Sequence, residues 1–187
     1  QVNKKMGVSG ENSEGVIEAL SFLSKVRRGE KLALGSSVAV IGGGNSAMDA
    51  ARTSFRMVGP EGKVVILYRR TLAEMPADHE EIKAVQDEKI EIMELVAPVS
   101  IARENGKTRV TCQKMQLGEP DASGRRRPVA IQGSEFTMDF DTVIPAIGQD
   151  TVYDFVNADD LKTDPETLET RLPKVYAGGD AVHGPLN

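Results

Sequence analysis

The run Gly42-Gly43-Gly44-Asn45-Ser46-Ala47 has residue types and spacing suited to chemistry, namely the holding of phosphates. Gly42, Gly44 and Ala47 fall in a G-x-G-x-x-A spacing. In that spacing the first glycine makes a tight turn, the second lets the backbone approach a pyrophosphate, and the small last position lets a helix pack close to a strand. The pyrophosphate then rests on the N–H groups and positive dipole end of the helix that follows. A second group of candidates stands at Tyr68-Arg69-Arg70. Folds that select NAD offer Asp or Glu at the tip of the second strand to take the ribose 2′-hydroxyl, whereas an arginine there accommodates a 2′-phosphate. No carboxylate occupies this tip. A guanidinium makes a forked, permanently charged contact with phosphate worth about 1.5–3 kcal/mol. NADPH is therefore expected over NADH, the competing reading of the pair being a solvated basic strand end.

These residues need elements to position them. Ser37 to Ile41 reads as a buried parallel strand, Ser46 to Val58 as a helix kept small by Ala47, Ala50 and Ala51, and Lys63 to Tyr68 as the next strand. Together they make a βαβ unit. Upstream, Val16, Ala19, Leu20 and Leu23 recur at helical spacing over Gly15 to Val26. Downstream, Ala77 to Glu88 carries Ile82 and Val85 on a charged helix, and Ile90 to Leu95 supplies a third strand. From residue 96 to 141 the period changes to two, and Asn105-Gly106 is a strong hairpin signal. That region is expected to be an antiparallel meander, with Asp141 to Ala146 rejoining the parallel sheet and "KVYAGG" closing as one more short strand. The fold class is α/β, a central parallel sheet with helices on one side and the meander on the other.

At 187 residues the chain is long enough for one full domain and part of another. Its 40% hydrophobic and 27% charged content is ordinary for a globular protein, and no apolar run reaches the length of a membrane span. A net charge of −5 offers no overall footprint for nucleic acid. The start, "QVNKKMGVSG", has neither an initiator Met nor an apolar stretch, and reads as an interior cut rather than a signal peptide. The single cysteine, Cys112, excludes an internal disulfide and any metal cluster built from this chain's cysteines, and fits a reducing cytoplasm. Packing is its expected role. His79 reads as a surface residue of an acidic helix, and His183 as a shaper of the loop after Asp180. Arg125 to Arg127, between Gly124 and Pro128, read as a solvated loop, and no Ser/His/Asp set stands out.

The stretches "VAVIGGGNSAMDAARTSFRMVG" and "KVVILYRRTLAEMPA", with "GVIEALSFL" before them and "AIGQ" and "VYAGGDAVHGP" after, resemble the NADPH-binding domain of the glutamate synthase small-subunit family. Dihydropyrimidine dehydrogenase and the ferredoxin–NADP transhydrogenase large subunit belong to the same branch. The resemblance implies a Rossmann-like FAD/NAD(P)-binding fold in which NADPH passes hydride to FAD. It puts Gly44, Asn45 and Ser46 on the pyrophosphate and Arg69 and Arg70 on the 2′-phosphate. Ala146, Ile147 and Gly148 would line the nicotinamide half, and Asp180, with Gly179 before it, would meet the flavin. It further implies lead-in residues 1–34, an NAD(P)H-binding domain over 35–148, and a return segment at 149–187 to a truncated FAD domain. The main FAD site and the iron–sulfur domain of the family would then lie outside this chain, in a parent protein or partner subunit, making the chain an excised fragment. Two readings compete: a non-catalytic NAD(P)-sensing domain, which would need no flavin contact at Asp180, and a methyltransferase, which would want an acidic residue where Arg69 and Arg70 stand.

Overall fold

The computed structural model describes residues 2–122, 124–150, 153 and 155–183, apart from the side chains of Asp180 and His183. In chain order its elements are β1 (Val2–Asn3), α1 (Ala19–Arg27), β2 (Ser37–Ile41), α2 (Asn45–Val58), β3 (Lys63–Tyr68), α3 (His79–Asp87), β4 (Glu91–Glu94), β5 (Val96–Glu104), β6 (Lys107–Pro120), β7 (Arg126–Ala130), β8 (Phe136–Phe140), β9 (Thr142–Pro145), β10 (Gln149–Asp150) and α4 (Asp180–His183). Lys5–Ile147 form one compact unit, and the described residues of Gln1–Lys4 and Gly148–Asn187 form another.

In the larger unit β2 is flanked by parallel partners on both edges, in the order β4-β3-β2-β9. A strand covered on both faces must be apolar at every position, and the side chains of β2 and β3 sort by alternation. Val38, Val40, Val64, Ile66 and Tyr68 join one core with Phe22 of α1, Ala47, Met48, Ala50 and Ala51 of α2, and Ile82 and Val85 of α3. Ala39, Ile41, Val65 and Leu67 face the other way, into a core with Val96, Ile101, Val110, Cys112 and Phe140 of the meander. Helices thus cover one side of the parallel sheet and the antiparallel strands the other.

The meander is built on β6, which pairs with β5 along 107–114, with β8 along 108–112 and with β7 along 115–120. Asn105 and Gly106 both hold positive φ, 49° and 77°, as a two-residue primed turn requires. Two helix starts differ from the sequence pattern by two residues or more. Helix α1 starts at Ala19, because Gly15 to Ile17 run extended beside β9: Val143 N donates to Gly15 O and Ile17 N donates to Val143 O, each within 2.9 Å. Helix α3 starts at His79, since Met75 and Ala77 are buried against the helix-side core and Asp78 becomes its cap.

The smaller unit holds the antiparallel pair β1–β10, a 3-10 turn at Ala158–Leu161 and α4. The strand expected at "KVYAGG" is reduced to one bridge, Glu169 opposite Tyr176, because a ladder extends only as far as its partner edge. Among the described residues no helix is long and apolar enough to cross a membrane.

At the amino ends of β2 and β9 the Asp141 carboxylate accepts from Ser36 N (2.9 Å), Ser37 N (3.0 Å), Ser37 Oγ (2.9 Å) and Lys107 Nζ (2.6 Å). Partial burial pushes this carboxyl up, but the Lys107 and Ser37 side chains and the two amides together outweigh that and hold it far below the usual carboxylate range. A depressed folded pKa contributes stability above the unfolded value, about 3.9, and loses it as pH falls through the folded one. Asp141→Asn is therefore expected to lower the free energy of unfolding by about 1.5–3 kcal/mol at pH 7. Chemical denaturation at a series of pH values should show the gap from wild type closing below about pH 4; a gap independent of pH would contradict the assignment.

Candidate functional site

Hydrogen bonding carries the sheet one residue past β2: Gly42 N donates to Leu67 O at 3.1 Å and Ala146 N donates to Ile41 O at 2.8 Å. Gly42 is thereby clamped between neighbouring strands with φ +149°, and a Cβ on it would lie 2.1 Å from Ala146 O. The next turn is equally tight, since a Cβ on Gly43 would lie 2.4 Å from Tyr68 Cε2, so the loop rests on the Tyr68 ring. Gly44 is the N-cap of α2, with extended backbone (φ −94°, ψ 178°) and no side-chain cap. The N–H groups of Asn45 and Ser46 precede the first intrahelical donor, and no protein acceptor takes them among the described residues. Ala47, fully buried, sits on the sheet side of the helix, 3.4 Å from the position of a Gly42 Cβ. The arrangement leaves two backbone donors and a helix dipole end turned out at the carboxyl edge of a parallel sheet, where an anion is stabilised.

Asn45 is held in a way its neighbours in sequence do not announce. Its amide donates to Asp78 Oδ2 (3.0 Å) and its Oδ1 accepts from Asp78 N (2.8 Å), while Ala77 N donates to Gly43 O (3.2 Å). The "EMPAD" segment is thus a latch on the glycine loop. The separation of 33 positions from Asn45 to Asp78 hides this pairing from any local pattern. Asn45 offers a ligand its backbone, not its side chain.

At the tip of β3 the three residues separate. Tyr68 is buried and its hydroxyl donates to Glu74 O at 2.8 Å. Burial raises its phenol above the usual value, and the Arg70, Arg125 and Arg69 cations pull it back. Arg69 is exposed, with no hydrogen bond or ion pair among the described residues. Arg70 turns inward: its side chain is 7% exposed, its Nε donates to Arg126 O (2.7 Å) and its Nη2 meets Asp121 Oδ2 (2.6 Å). Arg69 is therefore the open cation of the pair, and Arg70 is engaged with the meander. The Arg125–Arg127 run, expected as a solvated loop, is the partner of that contact.

Ala146 is buried beside Gly42, and Ile147 packs on the meander-side core. Gly148 and Gly179 belong to the smaller unit. Gly148 O accepts from Lys4 N at 3.0 Å, and Gly179 O accepts from Val182 N at 3.0 Å. The Asp180 side chain and residues from 184 onward lie outside the described residues, as does the His183 side chain. His79 is exposed at the start of α3. Burial pushes the Cys112 thiol up to about 11, so thiolate is scarce at neutral pH and the side chain serves packing. Among the described residues no group of three or more His, Cys, Asp or Glu side chains could hold a metal ion.

A family model described as pyridine nucleotide-disulphide oxidoreductase matches residues 1–187. The NADP(+)-dependent formate dehydrogenase subunit beta of Moorella thermoacetica is 41% identical over 193 residues, a match covering 97% of this chain and 27% of that protein. The putative glutamate synthase [NADPH] small chain of Cereibacter sphaeroides is 36% identical over 200 residues, covering 97% of this chain and 48% of that one. This chain thus spans between about a quarter and a half of the length of these relatives. Among solved structures, Mycobacterium tuberculosis FprA in complex with NADPH superposes with a TM-score of 0.80 at 17% identity, over 100% of this chain and 57% of that one. At that identity the likeness is one of fold.

The clamp on Gly42 makes a direct demand on its residue type. Gly42→Ala is expected to cost about 1–3 kcal/mol of stability, the range for a strained backbone at a tight site. The loss should appear as a lower denaturation midpoint, and an unchanged midpoint would mean that the approach to Ala146 O is not enforced.

Proposed function

The chain belongs to the pyridine nucleotide-disulphide oxidoreductase family, and we propose that it is the NADPH-binding module of a flavin-dependent oxidoreductase resembling the glutamate synthase small subunit. The observation that carries this reading is the uncapped amino end of α2, with the N–H groups of Asn45 and Ser46 turned outward, one strand away from the exposed Arg69. Gly44, Asn45 and Ser46 would hold the pyrophosphate through backbone N–H groups, and Ala47 keeps the helix end close enough to do so. Arg69 would take the 2′-phosphate. Ala146 and Ile147, beyond the end of β9, would border the nicotinamide half. Gly148 is assigned to the nicotinamide, and Gly179 and Asp180 to the flavin, on the family resemblance alone. The matched relatives carry NADP(+) and NADPH in their names, which agrees with an arginine at the strand tip rather than a carboxylate.

When bound, NADPH supplies a hydride and FAD accepts it; the protein contributes binding, orientation and selection between NADPH and NADH. The main FAD site and any iron–sulfur domain would lie in other parts of the parent protein or in a partner subunit, in a cytoplasmic, reducing setting. The division into lead-in residues 1–34, an NAD(P)H-binding domain at 35–148 and a return segment at 149–187 is proposed on the same ground. Turnover by this chain alone is not expected.

Isothermal titration of the chain with NADPH and NADH tests the reading. NADPH is expected to bind at least about tenfold tighter, a difference of about 1.4 kcal/mol, and Arg69→Ala should remove that preference. Equal affinities in the wild type would overturn the 2′-phosphate assignment. A second variant examines the helix end. Gly44→Asp places a carboxylate on the same N–H groups; N-cap Asp is worth a few tenths of a kcal/mol over Gly, so the melting temperature should hold or rise. Binding of both nucleotides should weaken more than about tenfold; retained binding would mean that the pyrophosphate sits elsewhere.

A further inference from the structure

Asp78 is the N-cap of α3, where an Asp side chain ordinarily accepts from an N–H of its own helix's first turn. In this chain the side chain makes no such bond. The carboxylate reaches instead to the first residue of α2, accepting from Asn45 Nδ2 at 3.0 Å, while Asp78 N donates to Asn45 Oδ1 at 2.8 Å. Ala77 joins the same tie, its N donating to Gly43 O at 3.2 Å. Two adjacent residues thus grip both neighbours of Gly44, the turn into α2.

The segment that carries this grip is itself fixed. Leu72 N donates to Glu94 Oε2 at 2.7 Å, Thr71 N donates to Glu74 Oε2 at 3.2 Å, and the Tyr68 hydroxyl holds Glu74 O. Met75 and Ala77 are buried in the helix-side core. An Asn side chain left free can bond its own or neighbouring backbone N–H groups. Here those are the groups that the amino end of α2 leaves open for a phosphate. With both polar ends of its amide held by residue 78, the Asn45 side chain stays off them.

Charge and position act in opposite directions at residue 78. A carboxylate one side chain away from an anion site repels the anion, so charge alone favours a neutral residue there. The acceptor oxygen acts the other way, by fixing Asn45. We propose that Asp78 is a positioning residue for the pyrophosphate, holding the Asn45 side chain and the glycine loop so that the N–H groups of Asn45 and Ser46 face the ligand. The proposal rests on the NADPH reading above. The pyrophosphate is common to NADPH and NADH, so Asp78 governs affinity for both and takes no part in the choice made at Arg69.

The test is titration of the 187-residue chain with NADPH and with NADH, using variants whose folding is checked by thermal melting. Asp78→Ala and Asp78→Asn have the same charge and differ in the acceptor oxygen. Asp78→Ala should weaken both nucleotides about fivefold with their ratio unchanged, whereas Asp78→Asn should bind both at least as tightly as the wild type. In an Asn45→Ala background the two variants should become equal, since the oxygen then has no amide to hold. Should Asp78→Ala not fold, Asp78→Ser is compared with Asp78→Asn in the same way; its hydroxyl can cap α3 but ends one bond short of the carboxylate oxygens. If Asp78→Ala binds as tightly as Asp78→Asn, if its loss is confined to NADPH, or if the gap between the two persists without the Asn45 side chain, the role of Asp78 is overturned. An Arg69-dependent preference in the otherwise wild-type chain would leave the NADPH reading standing in each of those cases. If the wild-type chain binds neither nucleotide, the NADPH reading falls and the role of Asp78 with it.

Discussion

The exit of β2 at Gly42 is the constraint on which the rest of the unit depends. The chain there has a backbone neighbour on each side, Leu67 O accepting from its N–H and Ala146 O occupying the space a side chain would need. Only a residue without a Cβ keeps both contacts, and that closeness sets where α2 begins. Ala47 then fits against the turn, Gly43 settles on the Tyr68 ring, and the amino end of α2 opens at the carboxyl edge of the sheet. A larger residue at any of these points would lift the helix end away from the strand tip that carries Arg69.

The two ends of the parallel sheet serve different purposes. At the amino ends, Asp141 gathers Ser36, Ser37 and Lys107 and ties the start of β2 to the start of β9. Polar groups there satisfy one another. At the carboxyl ends, donors of α2 remain open, and the carboxyl ends of the strands are where open α/β sheets take their ligands. Stability is concentrated at one edge, so the other can leave polar groups for a partner.

Each face of the sheet has its own cover, and the covers contribute unequally to the site. The helices bury Val38, Val40, Val64 and Ile66 and bring the "EMPAD" latch over the glycine loop. The meander buries Ala39, Ile41, Val65 and Leu67 and, through its long central strand β6, reaches the tip of β3. A layer that reads in sequence as packing thereby acquires a contact with Arg70.

Much of this was legible in the chain itself. Alternation and unbroken β-branched runs marked β2 and β3, Asn105-Gly106 marked the hairpin, and glycine spacing marked the loop, because each depends on residues within a turn or a strand's length of one another. Tertiary structure alone decided what distant segments do to that local plan. It pulled Gly15 to Ile17 out of the helical pattern to lie beside β9, gave the Asn45 side chain to Asp78, and turned Arg70 away from solvent onto Asp121 and the Arg126 carbonyl. The sequence by itself determined the order of elements and the place of the phosphate-holding turn, since backbone conformation and burial are local demands. Which of two adjacent arginines stays open was settled by a carboxylate some fifty residues away, a pairing that exists only once the meander has folded against the sheet.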